Sequence, residues 1–452
     1  MDQLPKRVET RPGATEITSL PKSWLSLQWD FSDEFARLEK AYQRRKRAVV
    51  VNFRKLVPMH SGVDRATHLL HSYPAKLLTN IPVFFLNCEQ LRTRGGLVVD
   101  PFCGTGTVLL EAILAGHNAI GADANPLARL IAKAKLHSID RAHVDFALAK
   151  ILSRANRIKP ARFYPVVDVD KWFTPGVVRG LGRLIAAIRE IKNTSMRRFM
   201  EVCFSNCVRK ASLADPHMSV PVRRRGYSRR KRVDVFAIFE RCVRINSERL
   251  ESLRLADPNL LRRSRILLDA RKLGQGKPLN ADLIITSPPY LGAQKYVRAS
   301  SLSIGWLGLA PKGKLRNLEK LSIGREHFSK SEYAELQIPN IEGVSRTLRR
   351  LRKINALRAH IAATYLKEMR EALLEACRNL RSGGHFVLVI GDNTVCGSPF
   401  RTSRYLRTIL TNSGLTIRLE LIDEIRSRGL MTKRNKTAGL ISREHIFVFR
   451  KD

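Results

Sequence analysis

The chain has 452 residues, 44% of them hydrophobic, which excludes a disordered tail and allows two or three domains or one large domain with insertions. Lys and Arg number 81 against 40 Asp and Glu, a formal charge of +41. An excess of that size repels itself unless a polyanion is near, so nucleic acid is the first partner to consider. No apolar run reaches the roughly 18–20 residues that span a bilayer, so no membrane role is expected.

MDQLPKRVETRPG at the N-terminus lacks the apolar stretch of a secretory signal, and a cytoplasmic, nucleoid-associated protein is expected. The 7 cysteines are sparse and odd in number, as in a reducing compartment. Cys203 and Cys207 form the one close pair. Zinc sites generally use two such pairs, so these read as buried thiols and no metal is expected.

Residues 1–20, with Pro5, Pro12 and Gly13, read as a loose arm, and 31–48 as a charged amphipathic helix. Basic runs stand at 43–47 (QRRKR), 223–232 (RRRGYSRRKR) and 346–353 (RTLRRLRK). Each alone is either a solvated helix face or a phosphate-contacting surface; together with the net charge they favour nucleic-acid binding.

Segment 97–136 alternates strand and helix patterns: GLVVD, a glycine turn, TVLLEAILAGH, NAIGADA, NPLARLIAKAK. Such alternation predicts a parallel sheet. Segment 137–262 has helical periodicity broken by prolines. Strand patterns return at 265–270 (RILLDA), 281–290 (ADLIITSPPY), 385–393 (HFVLVIGDN), 415–422 (LTIRLELI) and 445–450 (HIFVFR). The reading is one open α/β sheet with two insertions. It divides into an arm and helix (1–66), a first half-sheet (67–136), a helical basic insertion (137–262) and a second half-sheet (263–452) interrupted at about 291–375.

The glycine turn lies in VVDPFCGTGTVLLEA, where Asp100, Gly104 and Gly106 mark the change from strand to helix. Glycine lets the backbone turn sharply and approach a ligand closely. The turn is shorter than the dinucleotide fingerprint and lacks the lysine of a phosphate loop. Asp123, in IGADANP, ends the next strand at the same sheet edge, where a carboxylate can accept hydrogen bonds from ribose hydroxyls. A tight corner alone explains the glycines; the corner with Asp123 describes a nucleoside site.

In DLIITSPPY an apolar strand runs into Ser287, Pro288, Pro289 and Tyr290. The prolines stop the strand, stiffen the backbone and hold Ser287 extended. Tyr290 offers a flat face at the carboxyl edge, where open α/β sheets bind ligands. A Pro-Pro turn with a packing tyrosine is the plainer alternative.

D-P-F-x-G-x-G-T followed downstream by S-P-P-Y resembles the S-adenosylmethionine-dependent amino-methyltransferases of DNA. The likeness extends to T-H-x-x-H-x-Y-P-A-K at 67–76, to the helix after Asp123, to the W-L-G continuation after Tyr290 and to the REHIFVFRK strand, roughly half the chain in all. It implies a Rossmann-like methyltransferase fold and S-adenosylmethionine as methyl donor, without a metal. Asp100, Pro101, Phe102, Gly104, Gly106 and Thr107 would form the cofactor turn, with Asp123 on the ribose. His71, Tyr73, Pro74 and Lys76 would lie at the methionine end. Asp269 would sit near the adenine amine, though an ordinary strand-end acid fits it equally. Lys76 would meet the carboxylate or face solvent.

In this family Asp or Asn commonly precedes P-P-Y in adenine-N6 enzymes, and Ser is frequent in cytosine-N4 enzymes. Ser287 therefore points to cytosine. Adenine-N6 and RNA enzymes remain the alternatives, followed by a silent DNA binder. By the same resemblance the partner is double-stranded DNA in a prokaryotic cell, and the enzyme either pairs with a cognate restriction endonuclease, belongs to a phage-defence system with its proteins, or stands alone. Leu77 stands where the family has Phe. The sequence leaves open which insertion reads bases; RRRGYSRRKR favours the first. Ser287 and the Pro288 carbonyl would accept hydrogen bonds from the exocyclic amine of a flipped base, and Tyr290 would stack on that base.

Overall fold

The structure, a computed structural model, describes residues 29–59, 66–74, 76–91, 95–161, 167–223, 233–256, 264–292, 296–310, 314–425 and 441–452. The expected N-terminal arm lies outside these, as does nearly all of the basic run at 223–232. Ten strands are defined among the described residues: β1 (Val49–Val51), β2 (Leu97–Asp100), β3 (Asn118–Ala122), β4 (Ser264–Leu267), β5 (Ala281–Thr286), β6 (Leu380–Gly391), β7 (Asn393–Val395), β8 (Ser398–Phe400), β9 (Leu415–Glu424) and β10 (Arg443–Lys451).

Eight of them form one sheet in the order β1-β9-β10-β6-β5-β2-β3-β4. All neighbours are parallel except β10, which runs against both β6 and β9. This is the open, mostly parallel sheet expected from the strand patterns. Its central strands read as unbroken apolar runs because helices cover both faces. Alternate residues divide cleanly. Val98, Leu283, Ile285, Val387 and Val389 join a core under the helices Ser32–Arg45, Asn80–Leu86 and Thr107–Leu114. Val99, Ile284, Phe386, Leu388 and Ile390 join the opposite core under Ala356–Asn379 and Thr402–Thr411.

Two elements escaped the sequence reading. β1 is only three residues long and pairs with β9, Val49 opposite Leu421. β7 and β8 form a hairpin turned by Cys396 (φ 50°) and Gly397 (φ 75°). Two consecutive left-handed residues match the right-handed twist of a hairpin, and the glycine was the one local sign of it.

Between β3 and β4 the chain makes the helices Arg141–Arg157, Pro175–Arg189, Thr194–Ala211 and Val235–Ala256. Asp140 and Asn193 cap two of them by accepting backbone N–H groups, and Pro175 opens a third. Their core holds Phe173, Phe199, Phe204 and Phe239, all buried, and is completed from elsewhere. Trp306, from the helix Ser301–Leu307 after Tyr290, sits edge-on to Phe173 at 5.9 Å and Phe204 at 6.3 Å. The first part of the second insertion, Val297 to Leu318, therefore completes the core of the first, while Ile323, Ile341, Val344, Leu348 and Leu351 pack in the core of the sheet's other side. Among the described residues no helix is long and apolar enough to cross a membrane.

Candidate active site

β2 and β5 are adjacent, with Val98 beside Leu283 and Val99 beside Ile284. β3 and β4 continue to one side, and β6, β10, β9 and β1 to the other. The chain order reverses between β2 and β5, so the loops leaving their carboxyl ends diverge and open a crevice. The glycine turn leaves β2 at this point and Ser287 leaves β5.

Asp100 ties the two strand ends together. Its Oδ1 accepts from Thr286 Oγ1 at 2.7 Å and from Phe102 N at 3.0 Å. Burial pushes its carboxyl up to about 7, against the lowering effect of these two bonds. Gly104 and Gly106 adopt left-handed φ values of 51° and 77°. Among the described residues a Cβ on Gly104 would meet nothing within 4 Å, whereas one on Gly106 would come within 3.2 Å of Ala132 Cβ. The turn is thus open above Gly104 and packed below Gly106. Thr107 begins the helix and is buried, as is Pro101.

Asp123 follows β3 directly. Its Oδ2 accepts from Gly104 N at 3.1 Å and its Oδ1 from Asn125 N at 2.7 Å. Burial raises its carboxyl to about 6. Arg129 braces this loop from below, donating to the carbonyls of Asp123 (2.6 Å) and Ala124 (2.9 Å). The glycine turn and Asp123 are therefore a single hydrogen-bonded unit. Asp269 lies one strand further out, after β4. Arg271 Nε and Nη2 meet its two oxygens at 2.9 Å each, and burial, which would raise its carboxyl, is outweighed by these bonds.

The 67–76 element runs between the loop after β3 and the helix Thr194–Ala211. Tyr73 OH accepts from Asn125 Nδ2 at 2.9 Å, joining it to the Asp123 loop. His71 is buried, with Nε2 2.9 Å from Ser205 Oγ, which in turn donates to Ser303 Oγ at 2.8 Å. Burial and then the nearby Lys76 hold its imidazole down to about 3, so it is neutral. Lys76 Nζ donates to the backbone carbonyls of His68 (2.9 Å) and His71 (2.7 Å), where it fixes the loop. Pro74 is half-buried beside it. Beneath this loop the buried His68 and Glu111 meet at 2.7 Å, a pair the sequence did not signal.

The S-P-P-Y end is held from three sides. The buried Tyr365 donates its hydroxyl to Pro289 O at 3.0 Å. Asn393 Nδ2 donates to Leu291 O. The Tyr290 ring lies over Gly391, where a Cβ would come within 3.0 Å of its Cε2. Its hydroxyl donates to Glu444 Oε1 at 2.7 Å and lies 3.4 Å from Ser287 Oγ. Ser287 is half-buried and Pro288 buried. Glu444, Tyr365, Asn125 and Thr286 are the supporting residues that sequence reasoning missed. Only Asn125 carried a local sign, as the residue before Pro126 at a helix start. Cys203 and Cys207 are fully buried in the helix Thr194–Ala211, and no cluster of three or more metal-ligating side chains occurs among the described residues.

Comparison with known proteins bears on this crevice directly. Residues 71–156, from the His71 loop through the glycine turn and Asp123, match UPF0020, the RMKL-like methyltransferase domain. The fold is Rossmann-like, an open and mostly parallel sheet with the segment that matches this methyltransferase domain at its switch point. The Type II methyltransferase M.MvaI of Kocuria varians is 23% identical over 299 residues, covering 59% of this chain and 63% of that protein. The Type II methyltransferase M.MjaII of Methanocaldococcus jannaschii is 34% identical over 82 residues, 18% of this chain and 15% of that protein. The chain thus spans less than two thirds of the length of either curated relative. Among solved structures, TrmN from Thermus thermophilus overlays with a TM-score of 0.32 at 12% identity, covering 86% of this chain and 55% of that one.

Proposed function

We infer that the chain transfers a methyl group from S-adenosylmethionine to the exocyclic N4 amine of cytosine in double-stranded DNA. The observation that carries this reading is Ser287, which heads a rigid strand end in the crevice beside the glycine turn. S-adenosylmethionine fits the residues present. Among the described residues nothing fills the space above Gly104, and the Asp123 carboxylate, bonded to the turn at Gly104 N, keeps further lone pairs for ribose hydroxyls. When bound, this donor supplies a methyl group already activated by its sulfonium.

The protein's own work is then on the amine, whose lone pair is delocalised into the ring. The Ser287 hydroxyl and the Pro288 carbonyl accept its two N–H bonds, which raises its electron density and turns the lone pair toward the donor. Tyr290 stacks on the extruded base, returning about 1–3 kcal/mol of the unstacking cost. Positioning supplies most of the acceleration, because the donor is already activated. The Tyr365–Pro289 bond and the Gly391 seat under Tyr290 keep that geometry rigid.

The partner proposed is DNA, with the 137–262 insertion reading bases and a cognate restriction endonuclease or other defence-system protein acting on the same sites. The net charge of +41 supports a nucleic-acid partner, and the likeness of the H-x-Y-P-A-K element and the W-L-G continuation to DNA enzymes favours DNA over RNA. The test is nucleoside mass spectrometry on DNA from a methylation-free host expressing the wild type, Ser287→Ala or Tyr290→Ala. N4-methylcytosine with the wild type alone is the expected result. N6-methyladenine would keep the pocket and overturn the serine argument. A mark found only in RNA would overturn the substrate.

A further inference from the structure

The Tyr290 hydroxyl faces a carboxylate that the methyl-transfer scheme does not use. Glu444 lies near the start of β10, opposite Gly391 of β6 and Asp423 of β9. Gly391 has no side chain, which leaves room for the Tyr290 ring to lie across β6 and reach Glu444. The distances are 2.7 Å from Tyr290 OH to Glu444 Oε1 and 3.4 Å from Tyr290 OH to Ser287 Oγ. With Tyr290 donating to Glu444, the phenolic oxygen is left as an acceptor, and the hydroxyl facing it is that of Ser287. A serine that donates there has its lone pairs turned outward, as acceptors for a substrate N–H. The carboxylate thereby sets the direction of every bond in the chain, and such aligned hydroxyls polarise one another.

We propose that Ser287, Tyr290 and Glu444 form a hydroxyl relay in which Glu444 is the positioning residue and final proton acceptor for the amine. The inference rests on the amino-methyltransferase reading above. The amine nitrogen bonds to the methyl carbon, the carbon–sulfur bond breaks and its electron pair stays on sulfur. The nitrogen then carries one proton too many. That proton passes to Ser287 Oγ, the serine's own proton passes to Tyr290, and the tyrosine's proton passes to the Glu444 carboxylate, which becomes a neutral acid. No further reactant is needed, and Glu444 returns its proton to solvent before the next turnover.

The surroundings of Glu444 suit a proton acceptor. Burial raises its carboxyl above the ordinary glutamate range, and Asp423 across the strand pair raises it further. The Tyr290 bond and Arg54, on the helix Phe53–Leu56, act the other way. A carboxylate so balanced binds a proton more readily than an exposed glutamate does.

The test compares wild type, Glu444→Gln, Tyr290→Phe and Asp423→Asn in single-turnover methyl transfer across pH. Glutamine keeps the shape and can still accept from Tyr290, and phenylalanine keeps the stacking face. The wild-type rate should rise with pH as Glu444 ionises and should show a solvent deuterium effect. Glu444→Gln should lose both features and slow by about 10²-fold, the lower end for a proton acceptor acting here through two hydroxyls. Tyr290→Phe should behave alike, and Asp423→Asn should move the acid limb to lower pH. Infrared titration of the ligand-free protein should show a protonated carboxyl band that Glu444→Gln removes and Tyr290→Phe shifts. An active wild type with an equally active Glu444→Gln and an unmoved acid limb would overturn the relay alone. A wild type that methylates no DNA amine would overturn the reading it rests on as well.

Discussion

The sharpest separation of folding from ligand binding comes from the two glycines of the turn. Gly104→Ala puts a methyl group on a residue at φ 51°, with nothing among the described residues within 4 Å of the new carbon. The backbone cost of a left-handed L-residue is about 1–2 kcal/mol, and no packing cost adds to it. Gly106→Ala, at φ 77°, bears the same cost and also forces Ala132 Cβ away from 3.2 Å. Overpacking adds about 1–3 kcal/mol, so that variant should lose about 2–5 kcal/mol of stability. With S-adenosylmethionine the order reverses in meaning. The open space above Gly104 is where the ligand must approach the backbone, and a methyl group intruding into a fitted contact costs about 1–3 kcal/mol, or about 5- to 150-fold in Kd. Urea unfolding measures the first quantity and calorimetric titration with S-adenosylmethionine the second. Gly104→Ala should lose only the backbone cost of about 1–2 kcal/mol in folding and bind far less tightly. A folded Gly104→Ala protein with an unchanged Kd would refute the assignment of this turn to the methyl donor.

Three other outcomes follow from the same geometry. Asp123 has its folded carboxyl raised to about 6 and must be ionised to accept ribose hydroxyls, so affinity for S-adenosylmethionine should fall as pH drops through about 6, and Asp123→Asn should flatten that dependence. Asp100 (about 7) and Asp123 both titrate above the roughly 3.9 of an unfolded aspartate, so the ligand-free fold binds more protons than the unfolded chain and should lose stability as pH rises from about 4 to about 7, measured by thermal unfolding. In the helix Val344–Ile354 the buried side is Val344, Leu348 and Leu351, while Arg346, Arg349, Arg350 and Lys353 are exposed and pair with no described acid; changing Arg349, Arg350 and Lys353 to Ala should lower the salt slope of DNA binding by about 1 for each phosphate no longer neutralised, without lowering the unfolding temperature.

What could be read from the chain was what depends on neighbours in sequence. Two-residue and 3.6-residue periodicities are local, and they located the strands at 97–100, 118–122, 281–286, 415–424 and 443–451 as well as the helix at 32–45. The glycine turn and S-P-P-Y are also local, because strand, corner and helix start are fixed by a few backbone angles. β1 escaped because three valines are too short a run to show alternation; they become a strand only by adding to the edge of β9. Lys76 shows the limit for a single side chain. Its charge invites pairing with a ligand carboxylate, and the donation of its ammonium to the carbonyls of His68 and His71 is a second role that no local pattern announced.

The residues that brace the site were illegible for a different reason. Thr286 joins Asp100 across 186 positions, Tyr365 joins Pro289 across 76 and Glu444 joins Tyr290 across 154. None of these three has a partner type or spacing that a motif could encode. The first and third exist because the sheet order sets β5 between β2 and β6, and β10 beside β6; the second exists because the helix Ala356–Asn379 packs on the sheet beside the end of β5. The tyrosine of S-P-P-Y could be read as a flat face at a strand end. That its hydroxyl reaches a carboxylate depends on Gly391, a residue whose importance lies in the side chain it lacks. Placing a methyl group there would press on Ile441 at 2.6 Å and on the Tyr290 ring, so the seat of the ring and the reach to Glu444 are set by one missing carbon on a strand distant in sequence.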